Sequence, residues 1–130
     1  MSDLSAFSKE QLAEMFAELS REQGAAMEVE DTKRYNRVLD KLDTVKKEMR
    51  RRGDDVRKVL IPLLEAPARD AISPYQAAQT RFNAAVELKA VAPELAKATL
   101  QSLATHGPLK YRGMAGMSLW FDDQGISKPT

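Results

Sequence analysis

The sequence predicts an all-α protein of about six helices, packed as antiparallel neighbours in layers. Three observations carry this. Apolar residues recur at three- and four-residue spacing along most of the chain. Capping residues, prolines and glycines divide that pattern into segments of helical length. Apolar–polar alternation never lasts long enough for a strand, and β-branched residues are scattered. The connections between segments are short, which favours antiparallel neighbours.

The first helix starts at Phe7-Ser8-Lys9-Glu10-Gln11-Leu12. Ser8 is the cap, Gln11 completes a capping box, and Phe7 can staple to Leu12. Leu12, Met15, Phe16 and Leu19 line one face, and Gly24 is expected to end or loosen the helix. A second helix begins near Thr32 and carries Tyr35, Val38, Leu39, Leu42, Val45 and Met49 on one stripe. Gly53 is its stop, and Arg50, Arg51 and Arg52 fill the last turn, where cations suit the helix dipole. Asp54 or Asp55 is expected to cap a third helix running from Val56 to Leu64, which Pro62 kinks or ends early.

The run "EAPARDAISP" reads as a connection. Ser73-Pro74-Tyr75-Gln76 restarts helix with a capping serine and a proline at the first position. Ala78, Phe82, Ala85, Val86, Leu88 and Val91 follow on its stripe. Ala92-Pro93-Glu94 breaks and restarts the chain, and Leu95, Ala96, Thr99, Leu100 and Leu103 mark the next helix, closed by His106-Gly107-Pro108. A last helix covers Leu109 to about Phe121, with Gly113 and Gly116 allowing close backbone approach. Residues 1–130 thus form one domain, with 122–130 expected as a frayed tail.

Composition narrows function mainly by exclusion. Lysine plus arginine number 20 and aspartate plus glutamate 19, so the formal net charge is +1. Such balance predicts no strong attraction to DNA or an anionic membrane. With no cysteine there is no disulfide, thiolate metal site or cysteine nucleophile. No leader pattern or stretch of about 20 apolar residues occurs, so a cytoplasmic protein without membrane association is expected.

Charge concentrates in one place. Between Lys46 and Lys58 stand seven basic and three acidic residues. Lys46, Arg50, Arg51, Arg52 and Arg57 are the candidate interaction surface there, for nucleic acid or an acidic partner. Against that reading, Gly53 interrupts the helix, Asp54 and Asp55 would repel phosphate, and no aromatics interleave. A solvated helix end is the preferred reading, with nucleic acid the weaker alternative.

The remaining chemistry-bearing residues form no recognisable catalytic, cofactor or metal set. His106 is alone at a helix end. Asp122 and Asp123 are adjacent and so do not share a helix face. Glu14, Glu18 and Glu22 make a row without the Glu-x-x-His of a bundle metal site. No serine sits in a Gly-x-Ser-x-Gly elbow, and Gly113-Met114-Ala115-Gly116 is not a phosphate loop. Arg81 and Asn83, polar among small apolar residues, are expected to bond structurally. Arg81 could pair with Asp70 or satisfy carbonyls at the end of the preceding helix, and Asn83 could bond across a layer. Met114, Met117, Leu119, Trp120 and Phe121 are either core, the preferred reading, or a sticky patch with Trp120 exposed.

Leu60-Ile61-Pro62-Leu63-Leu64-Glu65-Ala66-Pro67 resembles the first helix of a HEAT repeat, and Thr80-Arg81-Phe82-Asn83-Ala84-Ala85-Val86-Glu87-Leu88 resembles the second. Position 80 is Thr where Val is usual, and the linker between them is long. "APELAKATLQSLA" looks like the next opening helix. Over residues 32–121 the chain is similar to a small bacterial domain family of unknown function, through "TKRYNRVLDKLDTVKKEMRRRG", "LIPLLEAP", "NAAVELKAVAPELAKATLQSLA" and "GMAGMSLW". The resemblance implies a HEAT/armadillo-like right-handed superhelical stack, a structural Arg81, and a protein-binding surface. It brings no activity. The expectation is a non-enzymatic helical-repeat module with a protein partner, able to form a homodimer; a small enzyme with an unrecognised site is the remaining alternative.

Overall fold

The computed structural model describes residues 4–65 and 73–125. Among them are α1 (Lys9–Glu28), α2 (Thr32–Arg52), α3 (Asp54–Arg57), a 3₁₀ segment (Lys58–Glu65), α4 (Pro74–Leu88), α5 (Pro93–His106) and α6 (Leu109–Asp123). No strand occurs among the described residues. The protein is all-α.

Local signals account for most helix starts. Ser8 Oγ accepts from the Gln11 amide at 3.1 Å while Gln11 Oε1 accepts from the Ser8 amide at 2.8 Å, completing the expected capping box. Asp31 caps α2 by accepting from the Arg34 amide at 3.1 Å, and Ser73 caps α4 by accepting from the Gln76 amide at 3.3 Å. Pro74 and Pro93 each occupy a first turn, where a missing N–H costs nothing.

Two expectations need correction. Gly24 does not end α1, which continues to Glu28. Gly24 is buried where α1 crosses α4: a Cβ there would lie 2.6 Å from the Tyr75 carbonyl oxygen. Its task is close approach between helices. Nor does Asp54 or Asp55 cap α3. Gly53 is the N-cap, at φ 109°, a backbone that favours glycine, and the two aspartates lie within the first turn. After one turn the chain tightens into the 3₁₀ segment, which contains Pro62. Pro62 lacks the N–H an α-helix would need there, and its ring would meet a carbonyl one turn back, so the apolar run cannot continue as regular α-helix.

Contacts set the directions. Arg52, ending α2, reaches the carbonyls of Leu4 and Ser5, just before α1, so these helices are antiparallel. Ser20 and Gly24 of α1 meet Asn83 and Tyr75–Gln76 of α4 in reversed order, so this pair is antiparallel too. Gln79 bonds Tyr111 while Lys89 bonds Ser118 and Asp122, so α4 and α6 run the same way. The α5 helix returns between them, packed on both. One core joins these helices: Leu12, Phe16, Leu42, Met49, Leu60, Leu88, Leu100, Leu103 and Tyr111 are all essentially inaccessible. At roughly 1.5–3 kcal/mol for each such side chain, this burial is the main force holding the layers together.

The end of the chain divides as neither reading alone expected. Tyr111 and Ala115 are core, Met114 and Leu119 are half-buried against it, and Met117 and Trp120 are exposed. Asp122 and Asp123, placed by the sequence in a tail, belong to α6.

Candidate interaction surface

The basic run folds largely onto its own acids. Arg50 donates from Nε and Nη2 to the two carboxylate oxygens of Glu87, each at 2.8 Å. Arg57 donates from Nη2 to the Glu87 carbonyl at 2.7 Å and is ion-paired through the same nitrogen with Glu87 Oε2 at 3.1 Å. The Glu87 side chain is 0% exposed and that of Arg57 6%. Bidentate guanidinium–carboxylate pairing is what makes burial of these charges tolerable. Arg57 Nε is buried without a protein partner.

Arg51 and Arg52 share Glu48, with shortest approaches of 2.6 and 2.7 Å. Their hydrogen bonds hold its carboxyl down at about 2. Arg52 also donates to the Leu4 and Ser5 carbonyls at 2.9 and 3.2 Å, tying the start of the described chain to the end of α2. Lys46 is half-buried, 4.0 Å from Asp43, and burial lowers its pKa. What remains outward is part of Arg50, most of Arg51, and the exposed Lys47 and Lys58.

Arg81 and Asn83 both bond to other elements of the fold. Arg81 Nε donates to the Leu64 carbonyl at 3.0 Å, satisfying the end of the 3₁₀ segment; Asp70, its other expected partner, is outside the described residues. Asn83 Nδ2 donates to Ser20 Oγ at 3.0 Å and Gln23 Oε1 at 2.8 Å, across the layer to α1. Its Oδ1 accepts from Gln79 Nε2 at 2.9 Å, and Gln79 Oε1 accepts from the Tyr111 hydroxyl at 2.8 Å. Ser20, Gln23, Gln79, Asn83 and Tyr111 are all buried, so this chain of bonds pins α1, α4 and α6 to one another. Burial pushes the Tyr111 hydroxyl well above its ordinary pKa.

The pairing of Glu87 with Arg50 and Arg57, and of Gln79 with Asn83 and Tyr111, was not visible in the sequence motifs. A signal was available: Gln79, Asn83 and Glu87 recur every four residues along α4, a polar row on a face whose neighbours are alanine, threonine and leucine. Such a row on a buried helix announces bonds across the core.

One cluster pairs a nucleophile with an amine. Lys89 Nζ stands 2.7 Å from Ser118 Oγ and 3.0 Å from Asp122 Oδ1, beside a cavity of about 250 Å³ between α4, α5 and α6. Lys89 is ion-paired with Asp122 and donates to Ser118 Oγ, so the contact joins the end of α4 to α6. His106 is exposed at the end of α5. No three His, Cys, Asp or Glu side chains converge as a metal site among the described residues, and no described helix is long and apolar enough to cross a membrane.

The outer face of α6 differs from the rest of the surface. Leu109 is 80% exposed, Met117 59% and Trp120 53%. They lie on the side of α6 opposite Tyr111 and Ala115, with Gly113 and Gly116 between them. Trp120 also rests against Phe121, ring centroids 5.4 Å apart.

Comparison with known proteins agrees with this picture of the fold. The crystal structure of the protein RPA1889 from Rhodopseudomonas palustris CGA009 is similar along its whole length and the whole of this chain, with a TM-score of 0.88 and 29% identity. No curated protein matches. The family model described as a domain of unknown function, DUF2019, matches residues 10–122. That span runs from the first turn of α1 to the last turn of α6, and the chain belongs to the DUF2019 family of domains of unknown function.

Proposed function

We propose that this is a non-enzymatic, cytoplasmic helical-repeat module of the HEAT/armadillo type, and that it acts by binding protein through the outer face of α6. The alternation of helix directions supports the repeat reading: α4 and α6 run together, with α5 antiparallel between them and α1 antiparallel to both α2 and α4. Arg81 serves the structure, as the arginine of a HEAT-like second helix does. The observation that carries the binding reading is the exposure of Leu109, Met117 and Trp120 on α6, on a face that no other described helix covers. The basic run has the lesser claim, because Glu48 and Glu87 already occupy its arginines.

The test is the size of the protein in concentrated native lysate. The 14.5 kDa chain should elute well above its monomer mass, and Met117→Ser with Trp120→Ser should return it to monomer size without lowering its Tm. Elution as a monomer, or a large species indifferent to the double substitution, would refute the reading.

A further inference from the structure

We propose that the outer face of α6 pairs with α6 of a second copy of this chain, antiparallel, glycine against glycine. The inference rests on the binding role of that face and names its partner.

The glycines come first. Gly113 and Gly116 lie inside a helix, where glycine is a poor choice. Neither has a positive φ, and a Cβ added to either meets nothing within 4 Å. The molecule's own fold therefore has no use for their smallness, in contrast to Gly24. What they create is a flat strip flanked by exposed Leu109 on one side and by Met117 and Trp120 on the other. A strip of that form lets another helix backbone come close, with large side chains locking beyond it.

The numbering allows one self-complementary register. When Gly113 of one copy meets Gly116 of the other, Leu109 meets Trp120 and Arg112 meets Met117, each twice. Every exposed apolar group of α6 is then covered by the same surface of the other copy, as a twofold interface requires.

Charge selects the orientation. The N-terminal half of α6 carries Lys110 and Arg112 and no acid; the C-terminal half carries Asp122 and Asp123 and no base. Lys110 is already paired with Glu30 and Asp122 with Lys89, so exposed Arg112 and exposed Asp123 carry the charge argument. Antiparallel pairing brings the half with Arg112 to the half with Asp123 at both ends, whereas parallel pairing sets like against like. The N-terminus of α6 also has no side-chain cap. Asp123, exposed at the far end, comes towards that positive helix end in the other copy. A single pair of short helices is a small interface, so association is weak, with half-dimerisation at roughly 10–100 µM.

Sedimentation velocity of the purified full chain from about 1 to 500 µM tests this directly, with monomer expected at the low end and dimer at the high end. Gly113→Ala with Gly116→Ala gives a sharper prediction. It should raise the Tm measured at low concentration, because alanine is the better helix former, yet weaken dimerisation at least tenfold. Arg112→Glu should weaken it too, and Arg112→Glu combined with Asp123→Arg should restore it. Orientation is read by disulfide trapping, since the chain has no cysteine of its own. Leu109 and Trp120 are about 16 Å apart along the helix at 1.5 Å per residue. Leu109→Cys protein should therefore link to Trp120→Cys protein, and neither to itself. A purified chain that stays monomeric at every concentration overturns self-pairing, as do self-links at both positions. If the chain is monomeric when pure but still elutes large in lysate through the same face, self-pairing is refuted and the docking reading survives.

Discussion

Replacing Glu87 by glutamine should be among the most damaging single changes to this protein, though it alters one atom. The carboxylate is wholly buried, accepts two N–H donors from Arg50 at 2.8 Å and is ion-paired with Arg57 at 3.1 Å. Glutamine removes the charge and turns an amide N–H2, itself a donor, towards the guanidinium donors. Arg50 is 43% exposed and can turn to water, but Arg57 cannot. Its next acid, Asp54, is 4.0 Å away and 72% exposed, and its Nε already lacks a partner. An uncompensated buried charge of this kind costs about 3–5 kcal/mol. Against a total of roughly 5–15 kcal/mol, that is a large fraction of the stability.

Urea unfolding followed by circular dichroism measures the effect. The midpoint should fall with the m-value unchanged. Arg50→Ala should cost less, about 1.5–3 kcal/mol, because Glu87 keeps Arg57. Replacing Glu87, Arg50 and Arg57 together by methionine should recover much of the loss, since no buried charge then remains. A Glu87→Gln loss below about 1 kcal/mol would show that the cluster is not the joint described, and the ordering of the variants would fail with it.

Gly24→Ala should cost about 1–3 kcal/mol, read as a lowered Tm, because the added carbon falls 2.6 Å from the Tyr75 carbonyl oxygen and α1 and α4 must separate. Asn83→Ala should cost about 2–4 kcal/mol by the same assay, since it strands Gln23, Ser20 and Gln79 in a dry interior. Acid stability carries the mark of Glu48. Its folded pKa of about 2 lies below the ordinary 4.5, so its contribution is present above pH 4.5 and is lost as pH falls towards 2. Glu48→Gln should flatten that part of the stability profile. Tyr111 works in the opposite range: its folded pKa is raised, so stability should begin to fall as pH rises past 10, where the unfolded hydroxyl ionises. Tyr111→Phe should remove that step.

How much of this was legible in the sequence depends on distance along the chain. The Ser8–Gln11 box and the starts at Pro74 and Pro93 are decided within a few residues, and the sequence shows them. Gly24 looked like a helix stop because its reason lies 51 positions away, in the Tyr75 carbonyl. Arg50 looked like a free cation because Glu87 is 37 residues away, whereas the Glu48 partner of Arg51 and Arg52 lies only one turn back along α2. Asp54 and Asp55 are good caps by type, but Gly53 takes the position because its backbone must adopt φ 109°. Arg81 was legible in kind, since a lone arginine among small residues must find a carbonyl or a carboxylate; that the carbonyl is that of Leu64 was one of the choices named. The α6 stripe was half legible. Spacing identifies which residues share a face, but which face has a neighbour is a property of the whole stack.

The account holds that the polar and charged residues mostly join helices and that α6 presents the working surface. Site-specific photocrosslinking in the living cell tests this most directly, with the reactive residue placed in turn at Leu109, Met117, Arg51 and Lys47. Discrete adducts should form at Leu109 and Met117, with little or none at the two positions on α2. Adducts concentrated at Arg51 and Lys47, with α6 silent, would contradict it.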